Sequence, residues 1–313
     1  MSFSFLAPQE ILFGPDESRK TLDVARRFGS RPFVVTGARS FDALPIRAMF
    51  AGLTRWSVSG EPDVATVDEG VRRCGDADVI IALGGGSVLD SAKAVAGVAP
   101  NGGSVRDYLE QVGQKTLTKA PLPLIAVPTT AGTGSEATKN AVVRVPDLKV
   151  KRSIRHDLLI PRVAIVDPRL SALAPRDVAA SAALDAFTHL LEGYVSMGAH
   201  AMTDALALPG LALAAEGLRG IASGKDAFGS MSQASLWGGM VLANAGLGAV
   251  HGLAAPLGGR CSIPHGVGCA CLLADTVRAN LSALRSRSPE SPALGRYEKA
   301  AEALGLATVD ELL

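Results

Sequence analysis

The chain has 313 residues, 48% hydrophobic and 19% charged, which predicts a folded protein of two domains and excludes a disordered one. With 31 basic against 30 acidic side chains, it has no basic field to hold a nucleic acid or an acidic membrane. An aromatic fraction of 4% also argues against stacking platforms for single strands.

The opening MSFSFLAPQE has no basic stretch followed by an apolar run, so no signal peptide is expected. Four short apolar runs follow along the first half: RPFVVTG (31–37), ADVIIALGGGS (77–87), PLIAVPTT (123–130) and RVAIVDP (162–168). Runs that are apolar on both faces suit strands buried in a parallel sheet. Helical stretches such as VATVDEGVRRC and SVLDSAKAVAGVA lie between them. Strand–helix alternation predicts an open, doubly wound sheet.

Beyond Asp167 alanine and leucine dominate and the strand signals stop. The expected division is an α/β domain over 1–167 and an all-helical domain over 168–313. The most apolar run, ALALPGLALAA from Ala205, is interrupted by Pro209-Gly210 and is expected to be too short to cross a bilayer. Near the end, Thr308 and Glu311 form a capping-box pattern that opens a helix, yet the chain stops at Leu313. The helical domain is therefore expected to be cut short, with an apolar flank left open or covered by a second subunit.

Cys74, Cys261, Cys269 and Cys271 form no C-x-x-C pair, which excludes a zinc ribbon. They read as small buried thiols in a reducing cytoplasm.

Two loops carry phosphate-binding signals. GGGSVLDSAK (84–93) follows a strand and opens a helix, so its glycines allow a tight turn and the helix amides favour an anion. It is not G-x-G-x-x-G, and the usual dinucleotide fingerprint is absent. PTTAGTGSEATKN (128–140) follows the next strand and offers the hydroxyls of Thr129, Thr130, Thr133 and Ser135. Loops at the carboxyl ends of parallel strands are where open α/β sheets bind nucleotides.

Asp185 and His189 stand four apart in a helical stretch, which puts both on one face. Asp185 lies among alanine, leucine and phenylalanine, poor company for a carboxylate without a cation or donors. His251 and His265, each followed by glycine, could complete a set of one carboxylate and three imidazoles. Pro264 interrupts that segment, so His265 is expected to begin a new element. Such a set suits Fe²⁺ or Zn²⁺. His156 and His200 lack such a setting and are expected to be structural or exposed.

Together, GGGSVLDSAK, PTTAGTGSE, the Asp185–His189 pair and the H-G…P-H-G of His251 and His265 resemble the iron-containing (group III) alcohol dehydrogenases. The resemblance runs along essentially the whole chain. It implies a dehydroquinate synthase-like architecture with the active site in a cleft between the domains. It implies a divalent metal, Fe²⁺ before Zn²⁺, on Asp185, His189, His251 and His265. It implies NAD or NADP lined by Gly84, Gly85, Gly86, Ser87, Asp90, Thr129, Thr130, Thr133, Ser135, Asn140 and Lys151. The implied substrate is a small alcohol or carbonyl compound, with a homodimer, no nucleic-acid partner and no membrane.

Three departures stand out. Many relatives carry a further histidine where this chain has Ala255, so no general base is assigned. Many NAD-preferring relatives end their first strand in aspartate, where this chain has Gly37 with Arg39 nearby. Relatives also continue past residue 313. A maleylacetate reductase-like enzyme is the alternative; a dehydroquinate synthase-type lyase and an inactive, truncated cofactor-binding protein rank below it.

Overall fold

The computed structural model describes residues 2–261 and 263–312. Two compact units divide the chain. One comprises Leu6–Thr130 and Ser135–Pro175; the other comprises the N-terminal residues up to Phe5, Ala131–Gly134 and everything from Arg176 onward.

The first unit is built on β1 (Glu10–Phe13), α1 (Thr21–Arg26), β2 (Pro32–Gly37), β3 (Thr54–Val58), α2 (Val64–Cys74), β4 (Val79–Gly84), α3 (Gly86–Asn101), β5 (Leu124–Pro128), a hairpin of β6 (Asn140–Val145) and β7 (Val150–Arg155), β8 (Val163–Val166) and the short α4 (Pro168–Ser171). Six strands form one sheet in the order β1-β8-β5-β4-β2-β3, with every pairing parallel. Strand alternation sorts the apolar runs into two cores. Phe33, Val35, Ile80, Ala82 and Ala126 face α2 and α3. Val34, Ile81, Leu83, Ile125 and Val127 turn to the opposite core with Phe41 and Phe50. Both faces are covered, which is why β2, β4, β5 and β8 read as continuous apolar runs. The edge strands β1 and β3 are partly exposed, carry polar residues and escape a search for such runs. The antiparallel hairpin was not foreseen either.

A buried polar brace joins α3 to the chain leading into β6. Lys93 is fully buried; its Nζ donates to Thr138 Oγ1 at 2.7 Å and to the Asn140 carbonyl at 2.6 Å. Asp90 accepts from Ser135 Oγ at 2.6 Å and from the Val142 amide at 2.9 Å. Burial lowers the pKa of Lys93 against the pull of Asp90 and Glu136. Burial likewise pushes Glu136 up to about 7, opposed by a backbone hydrogen bond and Lys93.

The second unit holds α5 (Arg176–Val195), α6 (Ala201–Ser223), α7 (Phe228–Ala245), α8 (Ala249–Arg260), α9 (His265–Arg287) and α10 (Pro292–Ala303). Pro209 does not break α6, contrary to the sequence expectation. The helix runs unbroken for 23 residues and, like α9, is long and apolar enough to cross a membrane by length and composition. Its buried face (Ala207, Leu211 and Ala214, with Gly210 and Gly217) recurs at helical spacing, and α6 packs on α5 and α7. Helix α7 is buried along most of its length. Large apolar side chains lie exposed at Leu253 and Leu257 on α8, Val267 on α9, and Ile263 between them. Arg296 pins α10, donating to the Tyr194 carbonyl at 2.7 Å and pairing with Asp204.

At the end, Thr308 and Glu311 open only a 3₁₀ turn, Val309–Leu312. The Glu311 carboxylate accepts from the Ala307 amide at 3.3 Å, one residue before the predicted cap. Leu313 lies outside the described residues. Of the cysteines, Cys74 and Cys269 are buried as expected, whereas Cys261, at the C-terminal end of α8, and Cys271, within α9, are exposed.

The brace predicts a large loss on Lys93→Ala. Removing one partner of a buried charged set costs about 3–5 kcal/mol. Ser91→Ala deletes only a hydroxyl bond to the Ser87 carbonyl and costs within about 1 kcal/mol. Urea midpoints for the two variants check the difference.

Candidate functional site

Helix α5 carries Asp185 and His189 one turn apart, both buried. Helix α7 ends at Gly246, and α8 leaves at 98° to it. That turn aims the start of α8 at α5. Gly248, the residue before α8, lies against Glu192, where a Cβ would come within 2.7 Å of Oε1. The Glu192 carboxylate caps α8, accepting from the Val250 amide at 2.7 Å and the His251 amide at 3.3 Å. The same carboxylate takes His251 Nδ1 at 2.7 Å and fixes the ring with Nε2 toward Asp185.

His265 is the first residue of α9, after Pro264. Gly266 brings this helix start against α5, where a Cβ would meet the Ser181 carbonyl oxygen at 2.3 Å. The structure therefore brings all four predicted residues together. Asp185 Oδ1 faces three imidazole nitrogens: Nε2 of His251 at 3.3 Å, of His265 at 3.6 Å and of His189 at 3.7 Å. Only the first is a hydrogen-bond distance. Four donors about 2.1 Å from one cation stand ~3.4 Å apart, close to the 3.3–3.7 Å from Asp185 Oδ1 to each imidazole nitrogen. His189 Nδ1 is buried without a hydrogen-bond partner among the described residues. The donor set fits a divalent cation.

Two side chains were missed. Glu192 lies seven residues after Asp185, on the same helix face, and that spacing was a readable signal. Cys269 lies four after His265, with Sγ 3.6 Å from His251 Nε2 and 3.8 Å from His265 Nε2. The residue one turn beyond His251 is Ala255, exposed on α8. His156 accepts from the Leu158 amide with Nδ1, and His200 stacks on Phe3 with centroids 4.2 Å apart.

The cluster is electrostatically coupled. Burial opposes ionisation of Asp185, but the imidazoles of His189, His251 and His265 outweigh it and hold the carboxyl well below its usual range. Burial pushes His189 down to about 4. Burial also disfavours the charged form of His251, yet hydrogen bonds with Asp185, Cys269 and Glu192 push it up to about 11.

The cofactor candidates lie at the carboxyl ends of the central strands. Thr36 on β2 is in register with Leu83 on β4, and Gly84 with Pro128 on β5. This places Gly37, Gly84–Ser87, Thr129 and Thr130 side by side. The chain moves outward from β2 to β3 and returns to β4 on the other side of β2, a topological switch point. Gly85 precedes α3, whose first amides point out of the helix. Asn140 Oδ1 is buried without a partner among the described residues. Asp90 and Lys151 are already engaged: Asp90 with Ser135 and Val142, Lys151 Nζ with Glu61 Oε1 at 2.6 Å. Thr133 sits in the Ala131–Gly134 segment assigned to the helical unit.

The family model for iron-containing alcohol dehydrogenases matches residues 8–168, and the C-terminal model of the same family matches 179–312. The chain belongs to the iron-containing alcohol dehydrogenase family. It is 43% identical to long-chain-alcohol dehydrogenase 1 of Geobacillus thermodenitrificans over 68% of this chain and 55% of that protein. It is 35% identical to the probable alcohol dehydrogenase EutG of Escherichia coli over 99% of this chain and 81% of that protein. The matched region spans 55% and 60% of the length of two curated relatives, the Geobacillus enzyme and alcohol dehydrogenase 4 of Saccharomyces cerevisiae. Among solved structures, the sulfoacetaldehyde reductase of Bifidobacterium kashiwanohense in complex with NAD⁺ is similar with a TM-score of 0.87 at 29% identity, covering 99% of this chain and 83% of that one. A 1,3-propanediol oxidoreductase gives 0.83 at 33% identity, covering 100% and 84%.

The two perturbed histidines set the pH dependence of the metal-free protein. His251, raised from 6.5 to about 11, contributes stability below pH 6.5 that is lost as pH rises toward 11. His189, lowered from 6.5 to about 4, contributes stability above pH 6.5 that is lost as pH falls toward 4. In the metal-stripped chain His251→Gln should flatten the alkaline decline in Tm, and His189→Gln the acid one. Thermal melts across pH 4 to 11 check both.

Proposed function

We propose that this chain is a metal- and nicotinamide-dependent oxidoreductase that interconverts small alcohols with aldehydes or ketones. The observation that carries the reading is the ring of three imidazole nitrogens at 3.3–3.7 Å around one buried carboxylate oxygen. The matched dehydrogenases and reductases support the reaction class. Asp185, His189, His251 and His265 would hold the cation, with iron ahead of zinc.

When bound, the cation supplies Lewis acidity toward an alcohol or carbonyl oxygen and the nicotinamide supplies hydride chemistry. Glu192 orients His251 and keeps its Nδ1 occupied, leaving Nε2 for the site. His265 is the most exposed of the four ligands and lies on the solvent side of the set. No imidazole stands at Ala255 to relay a proton.

Gly84–Ser87, Thr129 and Thr130 would take the pyrophosphate region of NAD or NADP, and the unpartnered Asn140 Oδ1 would accept from a hydroxyl or amide N–H of the cofactor. Gly37 presents no carboxylate to hold a ribose 2′-hydroxyl or repel a 2′-phosphate, and Arg39 is exposed two residues on. NADP(H) is therefore accepted alongside NAD(H).

Elemental analysis of anaerobically purified protein tests the metal. About one iron or zinc per chain is expected, lost in Asp185→Asn and His265→Ala while the nucleotide still binds. A chain that takes up neither metal overturns the reading. For the cofactor, Arg39→Ala should raise KM for NADP⁺ roughly tenfold and leave NAD⁺ unchanged. Equal effects on both would remove Arg39 from cofactor choice.

A further inference from the structure

We propose that Cys269 is a sulfur donor to the same cation, making this a mixed carboxylate, imidazole and thiolate site. The inference rests on the metal reading above. On α9, His265 and Cys269 repeat the four-residue spacing of Asp185 and His189 on α5. Each helix thus contributes an adjacent pair, and His251 on α8 faces members of both. Cys269 is fully buried, so its sulfur is held in place by packing. Its Sγ meets Nε2 of His251 at 3.6 Å and Nε2 of His265 at 3.8 Å, the two nitrogens that also face Asp185 Oδ1.

Those distances have a simple geometric meaning. A sulfur about 2.3 Å and a nitrogen about 2.1 Å from one cation stand ~3.6–3.8 Å apart at angles of about 109–120°, as a five-coordinate site allows. Donor atoms of Asp185, His251, His265 and Cys269 all lie within 4.8 Å of one another. Among the described residues, this is the group of side chains whose donors converge so closely. Cys269 also packs with Val250 and Ala254, so its sulfur stands at the boundary between that apolar cluster and the imidazoles. The thiol proton passes to solvent when the cation binds, with no change in oxidation state. Carboxylate and thiolate together balance the charge of a divalent ion. A thiolate also suits zinc and cobalt, which makes Co²⁺ a usable probe of the site.

The experiment loads metal-stripped protein with Co²⁺ alone. The unmodified chain should bind cobalt and show a near-ultraviolet thiolate-to-cobalt charge-transfer band. Cys269→Ser should keep cobalt and lose the band; Cys261→Ser and Cys271→Ser should keep both. Cobalt bound without the band, or a band that survives Cys269→Ala, overturns the proposal and leaves the metal reading standing. Failure to bind cobalt at all overturns both. Should the Cys269 variants misfold, zinc-edge X-ray absorption of the unmodified protein decides. One sulfur scatterer at about 2.3 Å supports the proposal, and a shell of nitrogen and oxygen alone overturns it.

Discussion

A buried carboxylate cannot stay charged without compensation, and the helical unit is arranged around that fact. Asp185 lies on α5 within an alanine-rich, buried stretch, and the groups that offset its charge come from its own helix, from α8 and from α9. Each of those helices must therefore arrive in a set orientation. Glu192 fixes the start of α8, and the Gly266 contact fixes the start of α9. The geometry of the carboxylate–imidazole cluster follows from how two helix starts are seated on a third helix.

Glu192 links that architecture to the chemistry. One carboxylate closes the open amides of α8 and orients His251, so a stabilising cap is also a positioning contact. Any change that loosens the cap also rotates the ring. The Asp90–Ser135 and Lys93–Thr138 contacts serve the sheet unit in a comparable way. They use the polar residues of the two loop motifs to bind the loops' flanks together, leaving glycines and threonines at the strand ends. Part of what reads as ligand-binding sequence is therefore internal bracing.

Much of this was legible in the sequence. The four strands β2, β4, β5 and β8 announce themselves because a doubly covered parallel sheet demands continuous apolar runs. The ligand histidines were conspicuous because imidazole among small apolar residues needs a partner. The edge strands were less legible, since half-exposed pairing relaxes the pattern. Pro209 was misread because a proline interior to a long, packed helix costs less than the burial its flanking turns provide.

Residue types and spacings alone determined the fold class, the glycine loops at strand ends, the Asp185–His189 pair and the resemblance that they carry. They did so because periodicity and local steric limits act over a few residues. Tertiary structure alone decided that Glu192 would cap α8, that Asp90 and Lys151 would already have protein partners, and that the Cys269 sulfur would lie against His251 and His265 as well as against Val250 and Ala254. Those outcomes depend on helix seating set by contacts such as Gly248 on Glu192 and Gly266 on Ser181. A side chain's partners across 59 or 66 residues of sequence are fixed by that packing, and no local pattern encodes them.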